Sequence, residues 1–160
     1  GETMLVTGGS GGVSTAAIQI GKHLGARVIA VTSGPDNVRR CEEVGADVVL
    51  DRLQSDLVAG IRQHTDGSGV DVIVDSVGEA LWDECMRSLG PGGRIVTYGA
   101  TSGARVGLDI RHVLPGISPP LRGSSFLARC SLFDGPGHPS VSNVIHRPTS
   151  SYPPECDCRP

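Results

Sequence analysis

A glycine-rich run near the beginning of the chain has the residue types and spacing of a phosphate site. It follows a short apolar segment and leads into a segment whose apolar residues have helical spacing. Glycines in such a turn let backbone N–H groups approach a diphosphate closely, and the following helix adds a partial positive charge. The run fits the pattern Gly-x-Gly-x-x-Gly from Gly9, except that Ser14 stands where the third glycine is usual. The predicted phosphate-binding residues are Gly9, Ser10, Gly11, Gly12 and Val13.

Two neutral hydroxyl residues, Thr32 and Ser33, follow the second predicted strand. A site for NAD usually has Asp or Glu here, which binds the 2′-hydroxyl of the adenosine ribose. A neutral pair does not repel a 2′-phosphate, and nearby arginines can bind one through charge-assisted hydrogen bonds. The sequence therefore favours NADP over NAD as the cofactor. The candidate arginines are Arg39, Arg40 and Arg52.

Alternating strand and helix patterns must position these residues. This alternation predicts an α/β fold, a Rossmann-like doubly wound parallel sheet with five strands and a weaker candidate for a sixth. Ligands of such sheets bind outside the carboxyl ends of the strands. The first predicted helix is amphipathic, with Val13, Ala16, Ala17, Ile20 and Leu24 on one face. The predicted strands cover 3–7, 27–31, 47–50, 70–75 and 94–98, and the predicted helices cover 13–24, 37–44, 55–63 and 79–89.

Composition argues against several classes of partner. The formal net charge is -3, from 14 basic and 17 acidic residues, so no nucleic-acid partner is expected. No apolar run approaches the roughly 20 residues that span a bilayer, and no charged-then-apolar leader is present. We therefore expect a cytoplasmic protein without a membrane partner. The five cysteines are odd in number and lack a CxxC pair, and the histidines lack ligand spacing, so we expect no metal site on this chain.

The composition changes near Val113. Nine of the eleven prolines follow this residue, serine is frequent, and the hydrophobic periodicity is lost. Proline ends helices and cannot donate to a sheet ladder. We therefore expect a dinucleotide-binding domain over residues 1–112 and an irregular tail over residues 113–160, with a shifted reading frame or a truncated, degraded gene as the two hypotheses that account for an irregular or disordered tail.

Four stretches together resemble the cofactor domain of medium-chain dehydrogenase/reductases, in the branch of quinone oxidoreductases and zinc-type alcohol dehydrogenase-like proteins. The resemblance implies a Rossmann-like fold and NAD(P)-dependent hydride transfer to or from a carbonyl, an alcohol or an activated alkene. It also implies that the nicotinamide lies near Ser76 and Val77 and near Gly99, Ala100 and Thr101. The four stretches are residues 6–20, 43–47, 69–78 and 89–99.

In this family a GroES-like catalytic domain precedes the cofactor domain, and the sequence contains none of it. We therefore expect a piece of a longer protein that acts on a small-molecule substrate. Any catalytic zinc ligands would lie in the other domain, so the zinc dependence of that protein and its catalytic residues stay unassigned. Residues 121–126 resemble the sixth strand of the family, whose edge forms homodimers, so a homodimer through the sheet edge is a further expectation.

Three other classes of protein are alternatives to a medium-chain dehydrogenase/reductase. A short-chain dehydrogenase needs a tyrosine followed four residues later by a lysine, and the only lysine is Lys22, so that class is excluded. A methyltransferase that uses S-adenosylmethionine usually has a carboxylate where Thr32 and Ser33 stand. A non-enzymatic dinucleotide-binding or redox-sensing module stays open, because the chain has no visible substrate site.

Overall fold

The computed structural model describes residues 1–108 of the 160-residue chain. The predicted tail 113–160, the predicted sixth strand and the domain boundary at residue 112 lie outside the described residues. The strands are β1 (Thr3–Thr7), β2 (Arg27–Thr32), β3 (Val48–Asp51), β4 (Val70–Asp75) and β5 (Leu89–Thr97). The helices are α1 (Gly12–His23), α2 (Pro35–Val44), α3 (Leu57–His64) and α4 (Trp82–Ser88), with a 3-10 turn at Glu79–Leu81 before α4.

The five strands form one parallel sheet in the order β3-β2-β1-β4-β5. The chain starts in the middle at β1, moves to one side through β2 and β3, and then crosses to β4 and β5 on the other side. The direction therefore reverses between β1 and β4, and the loops that follow these two strands leave the sheet in opposite directions. This confirms the predicted α/β, Rossmann-like fold and places a binding crevice at the carboxyl ends of β1 and β4.

Two apolar clusters cover the two faces of the sheet. On one face, Ile18 of α1 and Cys41 of α2 pack on β1 and β2. On the other face, Ile61 of α3 and Cys85 of α4 pack on all five strands, including Ile73 of β4. Right-handed crossovers explain this division, because connections that move in opposite directions along a parallel sheet place their helices on opposite faces.

Helix α1 packs on the sheet through a different face from the one predicted. Val13, Ile20 and Leu24 are 60%, 58% and 76% exposed, whereas the helix buries Ser14, Ile18 and Gly21. A Cβ atom on Gly21 would overlap the side chain of Met4, so the helix lies close to β1 through its small residues. The face predicted from helical spacing is therefore exposed in the described part of the chain.

The fifth strand begins earlier than predicted. It starts at Leu89 and includes the Gly-Pro-Gly-Gly segment at 90–93, which was predicted as a break between the helix 79–89 and the strand 94–98. Val70 pairs with Leu89 but Val72 pairs with Arg94, so the glycines form an irregularity inside the strand. Gly92 accommodates this bend with a φ of 75°, a value that residues with side chains rarely adopt.

Candidate cofactor site

The turn between β1 and α1 is tight and held by backbone hydrogen bonds. Gly8 has a φ of 59°, and its carbonyl accepts a hydrogen bond from Gly11 N at 2.9 Å. Gly9 N donates to Val31 O at 2.9 Å, which ties the turn to the end of β2. A Cβ atom on Gly8 would lie 2.6 Å from Ser76 Oγ, so a side chain at this position would displace that hydroxyl. Gly8 was not among the predicted site residues, although its position directly after the first predicted strand indicates a place in the turn.

The first turn of α1 is open to an anion. Gly11 is the N-cap residue, no side chain caps the helix, and its first turn contains no acidic residue. A Cβ atom on Gly12 would meet no atom within 4 Å. The first N–H groups of a helix have no partner within the helix, and its dipole favours negative charge there. The turn therefore fits a diphosphate in both space and charge.

A cleft of about 260 Å³ lies beside this turn at the carboxyl ends of the strands. It brings together residues that are distant in sequence, from the glycine-rich turn and from the loops after β2, β3, β4 and β5. Leu81 and Ser102 also line it and were not predicted as site residues, because neither belongs to a recognisable motif. The predicted residues that line the cleft are Ser10, Thr32, Ser33, Arg52, Val77 and Thr101.

The structure separates the candidate arginines. Arg52 N donates to Thr32 O at 3.0 Å, which holds Arg52 beside the end of β2, and its side chain lines the cleft. Arg39 and Arg40 line a different surface depression, together with Asp36 and Glu43. Arg39 Nη2 lies 3.2 Å from Asp36 Oδ1 on the exposed side of α2. The fold therefore brings Arg52, and neither of the other two, to the cleft.

The loops after β4 and β5 are joined by hydrogen bonds. Thr101 N donates to Ser76 O at 3.2 Å, and Ser102 N donates to Val77 O at 2.9 Å. A Cβ atom on Gly99 would lie 3.1 Å from Ser76 O, so the two backbones approach closely there. The residues assigned to the nicotinamide end by resemblance therefore lie together: Ser76, Val77, Gly99, Ala100 and Thr101.

A buried carboxylate holds the loop after β4. Asp75 is 1% exposed and its Oδ1 accepts a hydrogen bond from Thr7 Oγ1 at 2.7 Å. The same carboxylate accepts from Val77 N at 3.1 Å and from Gly78 N at 3.2 Å. Thr7 Oγ1 in turn accepts from Ser76 N at 3.0 Å. Asp75 therefore fixes the loop to β1 at the crevice.

Within residues 1–108, no group of three or more His, Cys, Asp or Glu side chains could hold a metal ion. Two cysteines in this range, Cys41 and Cys85, are buried thiols. Burial raises the pKa of both, with a further contribution from a nearby carboxylate in each case. No helix among these residues is long and apolar enough to cross a membrane.

Comparison with known proteins identifies the family. The model of the family described as zinc-binding dehydrogenase matches residues 12–129. The chain belongs to the zinc-binding dehydrogenase family. This confirms the resemblance to the cofactor domain of medium-chain dehydrogenase/reductases.

Proteins that are similar to this chain include quinone oxidoreductases. The chain is 32% identical over 110 residues to a quinone oxidoreductase of Pseudomonas aeruginosa, covering 69% of this chain and 34% of that protein. It is 35% identical over 101 residues to an acryloyl-coenzyme A reductase of Metallosphaera sedula, covering 62% and 28%. The crystal structure of Escherichia coli quinone oxidoreductase complexed with NADPH superposes with a TM-score of 0.69 at 27% identity, covering 81% and 38%. The chain thus spans about a third of the length of the curated relatives it matches.

Proposed function

We propose that this chain is the NADPH-binding part of an oxidoreductase. The observation that carries the proposal is the turn between β1 and α1, which presents uncapped helix N–H groups at the crevice where the strand order reverses. The diphosphate of the cofactor would bind to the backbone of Gly11, Gly12 and Val13. Such a site needs no side chain, because backbone donors and the helix dipole supply the positive potential.

The adenosine end of the cofactor would lie in the cleft beside Ser10, Thr32 and Ser33. Thr32 is buried and neutral, so β2 itself places no carboxylate against a 2′-phosphate. The neighbouring carboxylate is Asp51 at the end of β3, whose Oδ1 accepts hydrogen bonds from Gly34 N and Leu53 N. Arg52 lines the same cleft and is exposed, which leaves its guanidinium free to bind the phosphate with two hydrogen bonds. We therefore propose that Arg52 is the residue that makes the site prefer NADP over NAD. Arg39 stays a sequence prediction, since it pairs with Asp36 on the far side of α2.

The nicotinamide end would lie against the joined loops that contain Ser76 and Thr101. The bound cofactor supplies the hydride, and the residues of this chain bind it, orient it and exclude water from one side. We propose a small-molecule substrate with a carbonyl or an activated alkene for the longer protein. The names of the relatives support this choice, since a quinone and an acryloyl thioester both contain a conjugated carbonyl.

The alternatives gain no support from the structure or the relatives. Membership of the zinc-binding dehydrogenase family argues against the methyltransferase hypothesis. No residue of the described range shows whether the longer protein depends on zinc. A homodimer through the sheet edge stays a prediction, which sedimentation velocity of the chain tests directly.

Titration of the chain with NADPH and with NADH tests the proposal. Binding raises the fluorescence of the reduced nicotinamide, which gives both dissociation constants. We expect tighter binding of NADPH, and we expect Arg52→Gln to raise the Kd for NADPH about ten-fold, as for a lost charged hydrogen bond, while it leaves NADH unchanged.

Arg39→Gln is the matched control, because it removes the same charge from a site outside the cleft. Equal effects of the two substitutions on the Kd for NADPH would show that the arginines act through long-range charge rather than through contact with the 2′-phosphate. Tighter binding of NADH than of NADPH by the unsubstituted chain would refute the NADP preference, and binding of neither would refute the proposed function.

A further inference from the structure

A buried hydroxyl joins the first turn of α1 to the end of β5. Ser14 is 1% exposed, and its Oγ donates to Thr7 O at 3.0 Å. The Tyr98 hydroxyl lies 2.6 Å from the same Oγ. A serine hydroxyl has one proton, and here that proton is directed to the Thr7 carbonyl. Tyr98 is therefore the donor in its bond to Ser14.

These groups form a continuous path across the crevice. Thr7 O also accepts a hydrogen bond from Ser76 Oγ at 3.2 Å. One carbonyl at the end of β1 thus holds α1 through Ser14 and the loop after β4 through Ser76. Tyr98 extends the connection to the end of β5, directly before the loop that starts at Gly99.

The two ends of the path lie at the two ends of the proposed cofactor site. Ser14 is in the first turn of α1, two residues after Gly12, where the diphosphate would bind. Tyr98 precedes the loop of Gly99 and Thr101, where the nicotinamide would bind. A dinucleotide must contact both ends at once, so its affinity depends on the distance between them.

We propose that the Tyr98–Ser14 hydrogen bond is a positioning contact that sets the distance between the diphosphate end and the nicotinamide end of the site. This inference rests on the proposed function. Tyr98 and Ser14 are positioning residues, because they act through the backbone of the turn and the loop. Ser14 replaces the third glycine of the motif, and its hydroxyl gives the tyrosine the acceptor that a glycine would lack.

The exposure of the two residues separates positioning from stability. Tyr98 is 37% exposed, so Tyr98→Phe removes one hydroxyl from a half-exposed ring and leaves no buried donor without a partner. Ser14 keeps its bond to Thr7 O in that variant. The fold should therefore persist while the connection between α1 and β5 is lost.

The test compares a ligand that spans the site with one that reaches only its adenosine end. The chain is titrated with NADPH and with 2′,5′-ADP, as the unsubstituted protein and as Tyr98→Phe, Ser14→Ala and the double variant. We expect Tyr98→Phe to raise the Kd for NADPH about five-fold to ten-fold, the effect of one lost hydrogen bond, and to change the Kd for 2′,5′-ADP less than about two-fold. The double variant should bind NADPH as Ser14→Ala does, because the two residues act through one contact.

Val96→Ala is the control for general loosening of β5, since Val96 is 41% exposed on the same strand and makes no such bond. It should leave the ratio of the two dissociation constants unchanged. An unchanged ratio in Tyr98→Phe, whether both ligands weaken equally or neither does, overturns the inference while the proposed function stands. Failure of the unsubstituted chain to bind either ligand overturns both. If Ser14→Ala does not fold, Tyr98→Phe alone decides.

Discussion

A carboxylate placed at Gly12 tests where the diphosphate binds. Gly12 is the first residue of α1, and a Cβ atom there would meet no atom within 4 Å, so Gly12→Asp causes no steric conflict. The first turn of α1 has no acidic residue and no side-chain cap. The helix dipole favours an added carboxylate at this end by about 0.3–1 kcal/mol, so we expect the folded state to be unchanged or slightly stabilised.

The same carboxylate should oppose the cofactor. For unit charges roughly 5 Å apart, Coulomb repulsion is about 0.8 kcal/mol in water and about 3 kcal/mol at the effective dielectric of a protein surface. The exposed position of Gly12 and the two charges of a diphosphate place the expected cost between these limits. We therefore expect the Kd for NADPH to rise by about 5-fold to 150-fold, which corresponds to about 1–3 kcal/mol.

The control is Gly12→Asn, which has the same shape without the charge. Fluorescence titration with NADPH at low and at high salt gives the affinities, and thermal unfolding followed by circular dichroism gives the stabilities. The effect of Asp relative to Asn should shrink as salt screens the repulsion. Equal affinities of the two variants at low salt would refute the placement of the diphosphate at α1.

Two isoleucines of α1 should differ in their contribution to stability, which urea titrations measure. Ile18→Ala should lower the free energy of unfolding by about 2–4 kcal/mol because Ile18 is fully buried. Ile20→Ala, at a 58% exposed site, should change it by less than about 0.5 kcal/mol. Equal losses would contradict the packing of α1 through Ile18. Gly8→Ala should cost about 1–3 kcal/mol in the same assay, since its φ of 59° and the nearby serine hydroxyl both oppose a side chain; an unaffected midpoint would contradict this geometry. Burial raises the pKa of Asp47, but hydrogen bonds from Lys22 and from a backbone N–H outweigh it, so the pKa is lowered overall. Stability from this carboxylate should be complete above its ordinary pKa of about 3.9 and lost as the pH falls through the lowered value; Asp47→Asn should remove that part of the acid dependence in thermal melts between pH 2 and 6.

Local patterns in the sequence were sufficient for the order of the elements. The apolar runs of β1, β2 and β4 are buried on both faces, so their strand character is visible without tertiary information. The turn after β1 was equally visible, because four glycines around Ser10, between an apolar run and a helical pattern, are a local signal of a tight turn. Asp56 caps α3 by accepting from Ala59 N at 3.0 Å, at the start of the helix predicted over 55–63.

Other features depend on which segments become neighbours. The apolar spacing in α1 suggested one packing face, but the helix approaches β1 closely at Gly21 and packs through the face that also contains Ser14 and Ile18, which leaves Ile20 exposed. The Gly-Pro-Gly-Gly segment marked a break, yet pairing with β4 makes it part of β5, since the ladder accommodates an irregularity there. Neither outcome follows from a periodicity measured along one segment.

The sequence by itself determined the type of site, because a glycine-rich turn between a strand and a helix and a neutral end of β2 are local features. Only the tertiary structure decided which side chains share that site. It brought Arg52 to the cleft and left Arg39 outside, because β3 ends beside β2 while the outer side of α2 faces away. It also joined Ser14 to Tyr98, 84 residues apart. The start of α1 and the end of β5 both lie at the carboxyl ends of the strands, beside the point between β1 and β4 where the strand order reverses.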